Sequence, residues 1–298
     1  MDFEHFAEFI KEKTQLCLGE DVFVERATVI KNNGVKGEAL QILQNTVPVS
    51  PVIYLESFYK DYDMGRDVSS CVKEICNIFM NNRWEEEKAE KFVDSVTSWK
   101  DSCDNVFPVL LPYRGNEEIL QNIIYRKYLD LALCYYWCTE NENGSIMSIR
   151  VSTALLKEWD ISEEELHKRA FCNMKKDGYH FMNMVEILKY VQIPCCELGV
   201  TEDIDFWILT NQKKLYGATG ILNTELLETF SGQIKKNLFL LPSSIHEMIV
   251  IPDDECTNAE EYKKMIEEVN ETMLPREYKL SDHAYYYDRD KKEVRIAG

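Results

Sequence analysis

Apolar positions recur along this chain in two periods, and the switches between them mark its elements. Phe3, Phe6 and Ile10 stand three and four residues apart, with Cys17 further along the same face. That spacing predicts a helix from Phe3 to Leu18, stopped by Gly19. Val22 to Ile30 then reads as a strand. Asn33-Gly34 supplies the positive φ that a tight hairpin needs, so Val35 to Leu43 is its returning strand. Pro51 to Leu55 is extended by its proline and β-branched residues. Val68, Val72, Ile75 and Phe79 return to helical spacing, and a charged helix runs from Glu85 towards Trp99. A buried strand is expected over Val106 to Leu111 and a helix over Asn116 to Tyr128, where Leu120, Ile123 and Ile124 fall together. Leu129 to Cys138 reads as a strand turned by Asn141 to Ser145 into Ile146 to Val151.

The second half opens on a capping box, Ser162 with Glu165, ahead of Leu166 and Ala170. A helix is expected over Phe181 to Val191 and a buried strand over Phe206 to Leu209. Leu215 to Phe230 reads as a helix with Gly217, Ala218 and Gly220 in its first turn. Two apolar runs, from Leu238 and from Ile245, flank Pro242-Ser243-Ser244. A second capping box, Thr257 with Glu260, starts a helix that turns Tyr262, Ile266, Val269 and Met273 inward and ends at Pro275. Tyr285 to Tyr287 and Val294 to Ile296 form a closing hairpin. Hairpins and helices mix without steady alternation, which predicts an α+β fold with mixed, largely antiparallel sheets and packed helices. One unit over 1–298 is expected, with a weak internal boundary near 190–204, around Pro194 and Gly199.

Composition narrows the function classes. A hydrophobic fraction of 45% with 16 Tyr, 13 Phe and 5 Trp supplies a sizeable core. The net charge of -18, from 34 basic and 52 acidic residues, repels phosphate backbones and anionic lipid surfaces. Nonspecific nucleic-acid binding and membrane association are therefore not expected. An acidic decoy of a DNA-binding protein stays as an alternative, although the acids are interleaved with cations, as in Glu261-Tyr262-Lys263-Lys264. The start, Met1-Asp2-Phe3-Glu4, lacks a basic segment followed by an apolar one, and no apolar run approaches the ~18 residues of a span. A cytoplasmic location is expected. The 10 cysteines form no C-x-x-C pair and sit mostly among apolar neighbours, as small core groups do. Adjacent Cys195 and Cys196 would rarely aim both sulfurs at one zinc ion, so no metal or other cofactor is expected.

Candidate chemistry concentrates between Leu238 and Asp254, where Ser243, Ser244, His246 and Glu247 stand between apolar runs. If Ile245 to Ile251 is a strand, His246 shares a face with Met248 and Val250, and Glu247 takes the other. Glu247 then cannot orient His246, and Asp253 lies about 23 Å along at ~3.3 Å per residue. G-x-S-x-G is absent. A hydrolase built on His246, Ser243 and Ser244 would need an acid from elsewhere. The second histidine of a helical zinc motif would fall at Val250, so that motif fails; a looser metal site would join His246 to His167, His180 or His283. The plainer account makes Pro242-Ser243-Ser244 a turn whose polar groups satisfy the backbone. Gly217-Ala218-Thr219-Gly220 could admit an anion at a helix start, but it lacks the P-loop lysine, and close packing explains it as well. Arg114 and Asn116, beside Gly115, and Asn211, after a buried strand, are weak ligand-binding candidates that also suit turns or caps.

Pro51 to Leu55, Asn32-Asn33-Gly34, Leu209-Thr210-Asn211 with Tyr216-Gly217-Ala218, Leu241 to Glu247, and Tyr285 to Arg289 together resemble an uncharacterised domain-of-unknown-function family of Clostridia-type Gram-positive gut bacteria. The resemblance runs from about Val22 to Arg289. It implies a bacterial cytosolic protein and no particular activity, cofactor or catalytic residue. The expectation is a soluble, non-catalytic protein that binds another protein or a small ligand through one face of a mixed sheet. A hydrolase or metal-dependent enzyme around His246 is the alternative.

Overall fold

The computed structural model describes residues 1–45, 47–140, 146–183, 186, 206–254 and 258–298. They form two compact units, Met1–Ser102 and Cys103–Gly298. The boundary marked at 190–204 lies outside the described residues, as do the turn at Asn141 to Ser145 and the adjacent Cys195 and Cys196. Both units combine helices with antiparallel strands, an α+β fold.

The first unit opens on α1 (Phe3–Leu18), where the Asp2 carboxylate accepts the His5 N–H at 2.9 Å and so caps a free donor. The helix buries Phe6, Ala7, Ile10 and Thr14. Strands β1 (Val22–Ile30) and β2 (Lys36–Gln44) pair from Val22↔Gln44 to Ile30↔Lys36. Their turn works because Asn33 and Gly34 take φ of 60° and 65°, a region that asparagine and glycine enter at low cost. Strand β3 (Val52–Tyr54) adds to β2, giving the order β1-β2-β3 with β1 at an edge. Helices α2 (Glu56–Asp63), α3 (Val68–Asn81), α4 (Glu86–Thr97) and α5 (Trp99–Ser102) complete the unit. Phe6 and Ile10 of α1 meet Val22, Val24, Leu40 and Ile42 of the sheet and Ile75 and Phe79 of α3 in one core.

The described residues of the second unit form two sheets. Strand β4 (Val106–Pro112) follows the expected run. The helix expected over 116–128 shrinks to α6 (Glu117–Leu120), and Tyr125–Tyr128 form strand β5 instead. Local periodicity misleads there, because Tyr125 to Tyr128 pair with Leu131 to Cys134 across a tight turn at Leu129 and Asp130. Strand β6 (Leu131–Glu140) takes β4 along one edge, and β5 and then β7 (Ile146–Arg150) along the other. It is buried from Leu131 to Cys138. Helix α7 (Thr153–Glu158) precedes α8 (Glu163–Lys176), which starts at the capping box: the Ser162 hydroxyl accepts the Glu165 N–H at 3.1 Å.

The other sheet runs β13-β12-β10-β11-β9-β8, every neighbour antiparallel. Its strands are β8 (His180–Asn183), β9 (Trp207–Thr210), β10 (Leu238–Ser244), β11 (Glu247–Pro252), β12 (Tyr285–Asp288) and β13 (Glu293–Ile296). Phe181 to Asn183 are therefore strand where a helix was expected, held by pairing with Trp207 to Leu209; 187–191 lie outside the described residues. The helix expected over Leu215 to Phe230 divides into a 3₁₀ turn (Gly217–Leu222) and α9 (Thr224–Ile234). Asn223 breaks the run by accepting the Leu226 N–H at 3.2 Å. Thr257 is outside the described residues, and the cap of α10 (Ala259–Thr272) is Asn258, which accepts the Glu261 N–H at 3.0 Å. One sheet face packs Leu209, Leu240, Met248 and Val250 on Ala218, Ile221 and Leu227. The other sets Phe239 and Leu241 under Tyr262 and Ile266 of α10.

Cys71, Cys76, Cys134 and Cys138 are buried thiols, and burial pushes Cys134 and Cys138 up to about 12. Cys17 and Cys172 are exposed. Iodoacetamide should therefore label Cys17 and Cys172 in the folded protein, with Cys134 and Cys138 reacting only after unfolding. Peptide mapping by mass spectrometry reads this directly, and native-state labelling of Cys134 would contradict it. Among the described residues no helix is long and apolar enough to cross a membrane.

Candidate functional site

The residues expected to carry chemistry sit at the tip of the β10–β11 hairpin. Ile245 and His246 form the two-residue turn, and Ser244 pairs with Glu247 across it. Pro242-Ser243-Ser244 thus end a strand rather than make the turn. The register shifts between Pro242 and Ser244, a bulge that accommodates a proline with no N–H to donate. His246 is consequently not on a strand face. Its ring lies between Tyr216, with centroids 5.6 Å apart and planes 23° apart, and Tyr278 at 5.3 Å. Nδ1 accepts the Tyr216 backbone N–H at 3.1 Å, which leaves the ring proton on Nε2. Tyr216 reaches this position in a left-handed conformation, φ 54°.

The two serines do not address the imidazole. Ser244 Oγ accepts the backbone N–H of His246 at 3.0 Å, and Ser243 Oγ donates to Glu247 Oε1 at 3.1 Å. Nucleophilic catalysis needs a hydroxyl proton aimed at a base nitrogen, and neither serine has one. Burial lowers the His246 pKa below the usual imidazole value. The folded state therefore binds this proton less readily than the unfolded chain. Its contribution to stability is present above the unfolded pKa of ~6.5 and is lost as pH falls towards the lower folded value. A His246→Gln variant should flatten that part of the stability profile in urea titrations; an unchanged profile would contradict the assignment.

Asn211 is buried at the start of the loop that seats the hairpin tip. Its Nδ2 donates to Asp177 Oδ2 and to the Leu215 carbonyl, both at 2.8 Å, and its Oδ1 accepts the Leu215 N–H at 3.1 Å. Thr210 Oγ1 donates to the His246 carbonyl at 3.0 Å. Asn211 therefore fixes a loop. Beside it, a cavity of about 280 Å³ is lined by Asp104, Phe107, Asn173, Asp177 and Lys213 among others. Burial raises the Asp177 pKa against the pull of Lys213 at 3.7 Å and the Asn211 hydrogen bond. Arg114 is exposed on the β4–α6 turn. Asn116 is buried and donates to the Pro112 carbonyl at 2.9 Å, which makes it a turn residue. The looser metal set is also dispersed: His167 meets the Tyr135 hydroxyl, His180 the Gly178 carbonyl and His283 Asp130. Among the described residues no group of three or more His, Cys, Asp or Glu could hold a metal ion.

A second polar cluster was not anticipated. Asp130, on the β5–β6 turn, gathers three donors from the entry to β12. Ser281 Oγ donates to Oδ2 at 2.7 Å, His283 Nδ1 to the same oxygen at 3.1 Å, and the Tyr285 hydroxyl to Oδ1 at 2.8 Å. The residue types are those of a catalytic triad, but the connectivity differs. The serine proton goes to the aspartate, and Ser281 Oγ lies 3.5 Å from the same His283 nitrogen that faces Asp130. Ser281, His283 and Tyr285 stand two residues apart, across a bend at Asp282 and His283 that leads into β12, and this spacing is the one local signal of the cluster. The acid lies 151 residues from Ser281, beyond any local pattern.

In the first unit the structure forms a larger hollow. A groove of about 890 Å³ runs between α1 and β1, lined on one wall by Glu8, Lys11, Glu12, Gln15 and Leu16. The other wall includes Phe23, Glu25 and Arg26. Leu16 and Phe23 are large apolar side chains at 74% and 55% exposure. Lys11 pairs with Glu8 at 3.0 Å, and Arg26 with Glu4 at 2.9 Å and Glu38 at 3.3 Å.

Fold and sites together define an α+β protein of two units, with hydrogen-bonded polar clusters in the second and an open groove in the first. The chain belongs to a family of unknown function, DUF5688, whose model matches residues 3–289 and so runs through both units. No curated protein and no solved structure matches it.

Proposed function

We propose that this chain is a non-catalytic binding protein of the bacterial cytoplasm whose partner seats in the groove between α1 and β1. The observation that carries the reading is the groove itself, about 890 Å³, with Leu16 of α1 and Phe23 of β1 exposed along its lining. A hydrolase reading around His246 lacks support, because Ser243, Ser244 and the imidazole are each turned to other partners. A reducing compartment suits the free thiols of Cys71, Cys76, Cys134 and Cys138. The partner surface expected from sequence, one face of a mixed sheet, becomes a strand edge facing a helix.

Selection from a displayed peptide library tests the groove. Wild-type protein should retain a defined set of peptides that a Leu16→Glu/Phe23→Lys double variant binds at least about tenfold more weakly, ~1.4 kcal/mol. A His246→Ala variant should keep the set. Equal retention by the double variant and the wild type would refute the reading.

A further inference from the structure

Among the described residues strand β1 is paired on one side only, and the backbone parity of its open side is recorded by Gln15. The Gln15 Nε2 donates to the Val22 carbonyl at 3.0 Å, and its Oε1 accepts the Val24 N–H at 2.9 Å. Successive residues of a strand direct their backbone groups to opposite edges. Val22 and Val24 therefore face away from β2, and Arg26 and Thr28 share that parity. The side-chain amide of Gln15 sits on the edge as one peptide unit of an added strand would. Beyond it, among the described residues, no strand pairs with the outer edge of β1. From Val22 to Thr28 the edge spans about 20 Å at ~3.3 Å per residue.

The charges along the groove point to the kind of chain that fits. Its lining carries Glu8, Glu12, Glu25 and Glu38 against Lys11 and Arg26. Both cations are already engaged, Lys11 by Glu8 and Arg26 by Glu4 and Glu38. Glu12 and Glu25 have no ion pair among the described residues, so the unbalanced charge is negative. The whole chain, at -18, adds a field that draws cations in.

We propose that this edge takes an extended, lysine- or arginine-bearing polypeptide segment as a fourth strand of the β1-β2-β3 sheet, continuing the pairing that Gln15 begins. The proposal rests on the groove being the binding site. Backbone hydrogen bonds to Arg26 and Thr28 supply the register, Leu16 and Phe23 cover alternate side chains, and Glu12 and Glu25 select cationic ones.

The test uses the full chain and a blocked ten-residue peptide alternating lysine and valine, titrated by calorimetry at low salt. Two further versions are N-methylated, one on every lysine and one on every valine. Alternate N–H groups of an added strand face its neighbour. One methylated version should therefore bind at least tenfold more weakly than the other. The glutamate–valine counterpart should not bind, and amide exchange should slow at Arg26 and Thr28 on binding. Equal binding of the two methylated peptides would overturn strand addition, and equal binding of the glutamate peptide would overturn the charge argument. If the lysine–valine peptide fails to bind while library peptides still need Leu16 and Phe23, the strand proposal falls and the groove reading stands. Protection of Arg26 and Thr28 that rises with protein concentration alone would assign the edge to a second copy of the chain and overturn the proposal.

Discussion

A Gly217→Ala variant should lose about 3 kcal/mol of stability in the second unit, although the added group is one methyl, because Gly217 is buried and closely packed. The reason is a three-way close approach, to two main-chain atoms and one fixed hydroxyl. A Cβ at position 217 would overlap Thr210 Oγ1, stand 2.5 Å from the His246 carbonyl oxygen and 2.9 Å from the Asn211 nitrogen. Two of these are main-chain atoms of the hairpin turn and the β9 end. The third is a hydroxyl fixed by its bond to the His246 carbonyl. Nothing at the contact is the free end of a flexible side chain, so relief requires parting the Tyr216–Leu222 segment from the hairpin tip. The His246 ring should lose its bond from the Tyr216 N–H as well. Gly220→Ala meets mainly side-chain atoms of Leu209 and Tyr179, from 2.8 Å, and should cost less. Gly232→Ala, on α9 with nothing within 4 Å, should instead stabilise by roughly 0.5–1 kcal/mol through helix propensity. Urea unfolding followed by amide exchange in β9 to β11 ranks the three variants. A Gly217→Ala protein as stable as wild type would refute the packing argument.

Gly217 also shows what the sequence could and could not reveal. Its small neighbours suggest either an anion site or close packing, and the contact that settles the matter comes from His246, 29 positions away. Elements specified by adjacent residues were legible: the Asn33-Gly34 turn, the Ser162 cap of α8, and the helix that buries Phe6 and Ile10. Elements specified by a partner were not. Tyr125 to Tyr128 and Phe181 to Asn183 look helical alone and become strands because β6 and β9 supply their hydrogen bonds. At the hairpin tip, the alternation argument assumed a strand through His246 and so misplaced the turn. Ser244 pairs with Glu247, and Ile245 and His246 cross over. The open groove was illegible for a topological reason. Gln15 reads as an ordinary polar helix residue until β1 is known to be an edge strand.

The Asp130 cluster yields the other large effect. Asp130→Ala should destabilise the second unit by about 3 kcal/mol, because it strands three donors at once. Tyr285 is fully buried, so its hydroxyl has no water to replace the carboxylate oxygen 2.8 Å away. Ser281 is nearly as enclosed, whereas His283 is exposed enough to be rehydrated. The Tyr285 pKa is held well above its usual value by burial first and by the Asp130 charge second, so the phenol remains a donor at any working pH. Asp130→Asn should cost less. Its amide oxygen can still accept from Tyr285, while Ser281 and His283 can each reorient to accept its N–H. Tyr285→Phe removes a donor from a carboxylate that keeps two others, and should cost about 1 kcal/mol. The decisive measurement is the double-mutant cycle of Asp130→Ala with Tyr285→Phe. Once the phenol is gone, losing the carboxylate strands one buried hydroxyl fewer, so the double variant should fall short of the sum by about 1–2 kcal/mol. Strict additivity would mean that Tyr285 finds another partner and that Asp130 does not tie the β5–β6 turn to β12.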